Sequence, residues 1–141
     1  MVNVAVILSG CGHLDGAEIR ESILTLLALD KADATVQCFA PDILQHHVVN
    51  HITQDVQPNE TRHVLTEAAR IARGDVKPLS ALDSTAYDAL IIPGGFGAAK
   101  NLSNLAIEQN NPTVLPAFKN IILAFLDQKN RLEPFVLHPP Y

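Results

Sequence analysis

Hydrophobic positions along this chain come in two rhythms: short unbroken runs, and longer stretches in which apolar residues recur every three or four places. Residues 2–8 (VNVAVIL) and 89–92 (ALII) are of the first kind. They have the length and composition of strands covered on both faces. Residues 35–39 (TVQCF) form a third, shorter run. Between the first and third runs, Asp15 is placed to cap a helix with Glu18 in its first turn and Ile19, Ile23, Leu26 and Leu27 as its apolar stripe. Residues 61–73 predict a second helix, buried through Val64, Leu65, Ala68, Ala69 and Ile71 and ended by Gly74. Thr113 can cap a last helix running to Gln128, with Pro116 in its first turn, where a missing N–H costs little. Strand, helix, strand repeated in this way predicts an α/β fold on a parallel sheet with right-handed crossovers.

The pattern weakens elsewhere. Residues 43–58 read as an irregular excursion with a short hairpin or helical turn, residues 76–79 are too short to assign, and residues 98–105 make a short helix. Residues 129–141 contain Pro134, Pro139 and Pro140 and one brief apolar patch, 135–137. That tail is expected to be irregular, leaving residues 1–128 as the α/β domain.

The strand at residues 89–92 ends in the most informative stretch. Pro93 cannot continue a central ladder, and Gly94, Gly95 and Gly97 follow before a helix begins. A strand that passes through a glycine turn into a helix N-terminus is how open α/β sheets build a site for an anion or oxyanion. A tight turn without a ligand has the same spelling.

Composition narrows the class. At 141 residues, 48% hydrophobic and 5% aromatic, the chain is one aliphatic domain with a sizeable core. A net charge of -5 without basic clusters argues against a nucleic-acid partner. The chain's two cysteines, Cys11 and Cys38, supply neither a disulfide framework nor metal-ligand spacing. Met1 leads directly into an apolar run too short to span a membrane, so the expectation is a soluble cytoplasmic protein.

Four blocks together carry a resemblance: Val6-Ile-Leu-Ser-Gly-Cys-Gly12, Asp15-Gly-Ala-Glu-Ile19, Cys38-Phe-Ala-Pro-Asp42 and Pro93-Gly-Gly-Phe-Gly-Ala-Ala-Lys-Asn-Leu-Ser103. With residues 61–74, they resemble the glyoxalase-like ElbB group, the enhancing-lycopene-biosynthesis proteins, of the PfpI, class I glutamine amidotransferase-like superfamily. The resemblance implies a flavodoxin-like three-layer sandwich and cofactor-free, metal-free chemistry. A thiolate adds to a small carbonyl compound such as glyoxal or methylglyoxal, and proton shuttling and hydrolysis then give a hydroxy acid. It implies a homodimer for the intact form, a link to isoprenoid metabolism, and a catalytic glutamate on the first helix, here Glu18. The oxyanion side falls on Gly94, Gly95, Phe96 and Gly97.

The family's nucleophile is a cysteine on an elbow after the last helix. This chain has Arg131-Leu-Glu-Pro-Phe-Val-Leu-His-Pro-Pro-Tyr141 there, and no cysteine follows Cys38. The expectation is therefore a chain cut short, by a premature stop or lost frame, before the elbow strand. Residues 89–92 would then be an exposed edge, the chain marginally stable, and thiol catalysis absent. A non-enzymatic fragment, or a module that binds a small anion, is the competing reading.

Cys11 is either a surrogate nucleophile on a glycine-flanked loop or a small residue packed beneath it. Glu18 is either the acid–base partner of a thiol or a favourable charge at a helix start. His46, His47, His51 and His63 lack a carboxylate or thiolate at ligand spacing and are expected to be solvated or locally hydrogen-bonded. Lys100 and Asn101 either reach an anion at the glycine turn or face water.

Overall fold

A computed structural model of the chain describes residues 1–108 and 110–128 and the backbone of 131–134. In order, the elements are β1 (Asn3–Ile7), α1 (Ile19–Lys31), β2 (Thr35–Ala40), the hairpin strands β3 (Val49–Asn50) and β4 (Asp55–Val56), α2 (Val64–Ala72), β5 (Val76–Pro78), β6 (Ala89–Ile92), the single turn α3 (Gly97–Lys100), α4 (Pro116–Asp127) and β7 (Arg131–Pro134). Five strands form one parallel sheet in the order β5-β2-β1-β6-β7.

Alternation along β1 sends its side chains into two cores. Val4, Val6 and Leu8 meet α2 through Val64, Ala68 and Ile71, with Leu26 and Leu29 of α1 alongside. Ala5 and Ile7 face the other way with Phe39 and Leu90, against Phe118, Ile121 and Phe125 of α4. Helices thus cover both faces of the sheet, the three-layer arrangement expected of unbroken apolar strands. Phe125 is fully buried, a contribution of roughly 1.5–3 kcal/mol.

Several expectations need correction. The first helix starts at Ile19 and is capped by Glu18, whose Oε2 accepts from Glu21 N at 2.7 Å. Asp15 is buried in the loop before it, which Gly16 N closes onto Gly12 O at 2.7 Å. Of the stripe assigned to α1, Ile19, Ile23 and Leu27 are each more than 40% exposed, while Ser22 is the residue fully buried. Thr113 does not cap α4, because its backbone is tied to Asn104. Leu115 holds the cap position and Pro116 is the first helical residue. The short helix after the glycine turn is one turn long, Gly97–Lys100.

The largest correction concerns the tail. Residues 131–134 are not irregular: β7 pairs in parallel with β6 from Ala89↔Arg131 to Ile92↔Pro134. Pro134 is tolerated because β7 is an edge strand. β6 therefore lies between β1 and β7 and is not an open edge, which removes the reason for expecting marginal stability. The apolar patch at 135–137 and Pro139 and Pro140 lie outside the described residues.

Candidate functional site

Because β1 and β6 are adjacent and parallel (Val6↔Ile91), the loop after β1 and the turn after β6 emerge side by side at one end of the sheet. Four backbone or side-chain bonds join them. Glu18 N donates to Gly94 O at 2.8 Å, Phe96 N to His13 O at 2.9 Å and Gly97 N to Gly16 O at 2.8 Å. Lys100 Nζ donates to Leu14 O at 2.8 Å. Two glycines make this approach possible. Gly95 has φ +114°, and a Cβ there would run into the Gly16 carbonyl and lie 2.5 Å from Glu18 N. A Cβ at Gly97 would strike Ser9 Oγ and the Gly16 backbone.

This docking places Glu18 beside the glycine turn. Its carboxylate is largely buried, 12% exposed, capping α1 with one oxygen and lying 3.5 Å from Arg20 Nε with the other. The amides of Phe96, Gly97, Ala98 and Ala99 are committed to His13, Gly16, Gly95 and Phe96 oxygens. Among the described residues, the amides of Gly94 and Gly95 make no such bond.

Cys11 occupies a different place. It lines a cleft of about 260 Å³ together with Asp15, Gln45, Arg62, Glu67 and Arg70. Burial pushes its thiol above the ordinary range, Arg70 pulls the other way, and Glu67 and Asp15 add to the rise. Glu18 does not line this cleft, and its carboxylate caps α1 instead. The structure therefore does not bring Cys11 and Glu18 into one constellation. Cys38, in β2, is nearly fully buried, and burial with Asp75 nearby pushes it up to about 11. At neutral pH both thiols are protonated and weakly nucleophilic.

Asn101 is buried and Lys100 half-buried. Asn101 is 5% exposed and stitches three segments: its Nδ2 donates to Ser9 O at 2.9 Å and Asp15 O at 3.0 Å, and its Oδ1 accepts from His46 N at 2.9 Å. Burial lowers the Lys100 ammonium pKa, with Asp15 opposing. His63 lies 2.8 Å from Asp42. His51 Nε2 accepts from Leu14 N, so Nδ1 carries the proton and donates to Val49 O at 3.0 Å. Among the described residues no group of three or more His, Cys, Asp or Glu is arranged to hold a metal ion, and no helix is long and apolar enough to cross a membrane.

Sequence reasoning missed the Asp15, Gln45, Arg62, Glu67 and Arg70 cleft. Its one local signal was the charge pattern of α2, where Glu67 and Arg70 are three residues apart with Arg62 upstream.

No family model matches the chain. The human "Glutamine amidotransferase-like class 1 domain-containing protein 3, mitochondrial" is 46% identical over 122 residues, and the rat "ES1 protein homolog, mitochondrial" 44% over 122. Each alignment covers 86% of this chain and 46% of the relative, so the chain spans about half the length of these curated relatives. The crystal structure of an isoprenoid biosynthesis protein with amidotransferase-like domain from Ehrlichia chaffeensis matches with a TM-score of 0.90 at 44% identity, over 94% of this chain and 62% of that one. The VC2308 protein, at 20% identity and a TM-score of 0.54 over 95% of this chain and 52% of that one, shares the fold.

Proposed function

We propose that this chain, whose fold is that of the glutamine amidotransferase-like class 1 domains of the DJ-1/PfpI superfamily, belongs to the glyoxalase-like ElbB group and carries the glutamate and glycine-turn half of its site. In this reading Glu18 is the proton-moving carboxyl and the Gly94 and Gly95 amides receive the developing oxyanion. The observation that carries it is the 2.8 Å bond from Glu18 N to Gly94 O, which holds the backbone of a residue with a largely buried carboxylate against the glycine turn at the carboxyl end of the sheet.

The substrate class is a small 2-oxoaldehyde. A thiolate adds to the aldehyde carbon to give a hemithioacetal, and a base moves the carbon-bound proton to the adjacent carbonyl carbon through an enediol. Water then hydrolyses the resulting thioester, releasing a 2-hydroxy acid and the thiol. This chain presents no thiol to Glu18, since Cys11 lines another cleft and Cys38 is buried in the sheet. We therefore infer that the polypeptide by itself does not turn over 2-oxoaldehydes. The likeness to the Ehrlichia isoprenoid biosynthesis protein supports an isoprenoid link. The exposed Ile19, Ile23 and Leu27 on α1 support a homodimer.

The test is methylglyoxal and glyoxal consumption, with hydroxy-acid formation followed by chromatography. The expected rate equals buffer alone and is unchanged in Cys11→Ser and Glu18→Gln. Turnover abolished by Cys11→Ser would overturn the reading and make Cys11 the working thiol.

A further inference from the structure

The cleft beside Cys11 has an inventory of donors and acceptors that the glycine-turn site does not use. Glu67, 9% exposed, accepts from two guanidinium groups on the same oxygen: Arg62 Nη1 at 3.2 Å and Arg70 Nε at 3.0 Å. One carboxylate oxygen cannot exhaust two five-donor forks. The two terminal nitrogens of Arg70 have no protein partner among the described residues, and Arg62 has only a further 3.7 Å contact to Glu60. These donors suit a planar carboxylate approached edge-on.

The same cleft carries acceptors in want of donors. Gln45 Oε1 is buried and finds no hydrogen-bond partner among the described residues, an arrangement that costs about 1–3 kcal/mol if nothing fills it. Asp15 is 4% exposed; one of its oxygens accepts from Val49 N at 2.8 Å, while the other has His51 Nε2 at 3.8 Å. That ring nitrogen accepts from Leu14 N at 3.3 Å and has no proton to give. A buried carboxylate so placed, beside an unsatisfied amide oxygen, suits a cation with several N–H bonds.

Three segments far apart in sequence build this site: the loop bearing Asp15, the excursion bearing Gln45, and the α2 region bearing Arg62, Glu67 and Arg70. At about 260 Å³ the cleft lies just below the range typical of drug-sized ligand sites, which fits a metabolite of a few heavy atoms. With two arginines against two carboxylates its formal charge is zero, so a ligand with both signs leaves it neutral while a lone anion or cation does not. We propose that this cleft binds a small α-amino acid, its carboxylate on Arg62 and Arg70 and its ammonium on Asp15 and Gln45 Oε1. The site stands apart from Glu18 and the glycine turn, and its occupancy does not depend on carbonyl chemistry.

Isothermal titration of the full chain with L-alanine tests it, with acetate and methylammonium as half-ligands. L-Alanine should bind saturably in the millimolar range, with either half-ligand weaker by roughly tenfold or more, because each lacks one set of charge-assisted bonds. Arg70→Gln and Gln45→Leu should each weaken L-alanine by roughly tenfold. Arg70 is a mild place to substitute, since its side chain is 64% exposed, and circular dichroism spectra matching the parent establish that each variant is folded. No saturable heat with L-alanine, acetate binding as tightly as L-alanine, or full affinity in Arg70→Gln would each overturn the proposal.

Discussion

Replacing Gly95 by alanine probes the contact on which the glycine-turn site depends. At φ +114° an L side chain is strained, by about 1–3 kcal/mol. The new methyl would also meet backbone on every side: the Gly16 carbonyl, Glu18 N at 2.5 Å and Ala17 C at 3.0 Å. Backbone cannot swing away as a flexible side chain would, so overpacking adds about 1–3 kcal/mol. Separating the two loops further weakens the Glu18 N to Gly94 O bond, worth about 0.5–1.5 kcal/mol. Together these amount to about 2.5–7.5 kcal/mol. Gly74→Ala is the matched control: its φ is +85°, but nothing lies within 4 Å of the added methyl. It should lose only the conformational part, and the unfolded-state entropy gain is common to both variants and cancels. Urea unfolding followed by far-ultraviolet circular dichroism, with slopes shared across variants, measures the difference. Gly95→Ala should be less stable than Gly74→Ala by about 2–4 kcal/mol. A gap under about 1 kcal/mol would refute the close docking of the two loops.

Three further outcomes follow from the same packing. Asn101→Asp replaces a donor with an anionic acceptor facing the Ser9 and Asp15 carbonyls, and thermal melts should show a loss of about 3 kcal/mol or more. Glu18→Ala removes the α1 cap and should cost about 1 kcal/mol in urea unfolding, whereas Glu18→Gln, which keeps an acceptor, should cost less than half of that. The raised Cys38 pKa means that the folded protein holds this proton more tightly than the unfolded chain does. Its contribution to stability is present below the ordinary thiol range and is lost as pH rises through that range toward about 11. Wild type should therefore lose more stability than Cys38→Ala over that alkaline span, and parallel stability–pH curves would contradict this.

Much of the fold is legible in the sequence because apolar runs leave few alternatives. Residues 89–92 are the whole of β6, residues 2–8 bracket β1, and α2 falls within 61–73 with Val64, Ala68 and Ile71 inward. The start of α1 was misread for a physical reason. Asp15 has the chemistry of a cap, but the Gly10–Gly16 loop buries it and hands the cap to Glu18. The stripe Ile19, Ile23, Leu27 has helical spacing, yet spacing does not say which face meets the sheet, and Ser22 does. β7 was invisible because four residues ending in proline carry little strand signal of their own; pairing with β6 defines it. The site was half legible. Glu18 and the glycine turn do meet, but Cys11, only seven residues from Glu18, points into a cleft completed by Gln45, Arg62 and Arg70, and no local pattern announces such a convergence.

The central claim is that Glu18 and Cys11 belong to separate sites. The rate of Cys11 alkylation against pH, followed by mass spectrometry in wild type, Glu18→Gln and Arg70→Gln, tests it most directly. Arg70 lines the cleft with Cys11 and opposes the rise in its pKa, whereas Glu18 does not line it, so Arg70→Gln should move the titration to higher pH while Glu18→Gln leaves it where it was. A titration that moves in Glu18→Gln and stays in Arg70→Gln would put the thiol beside Glu18 and contradict the account.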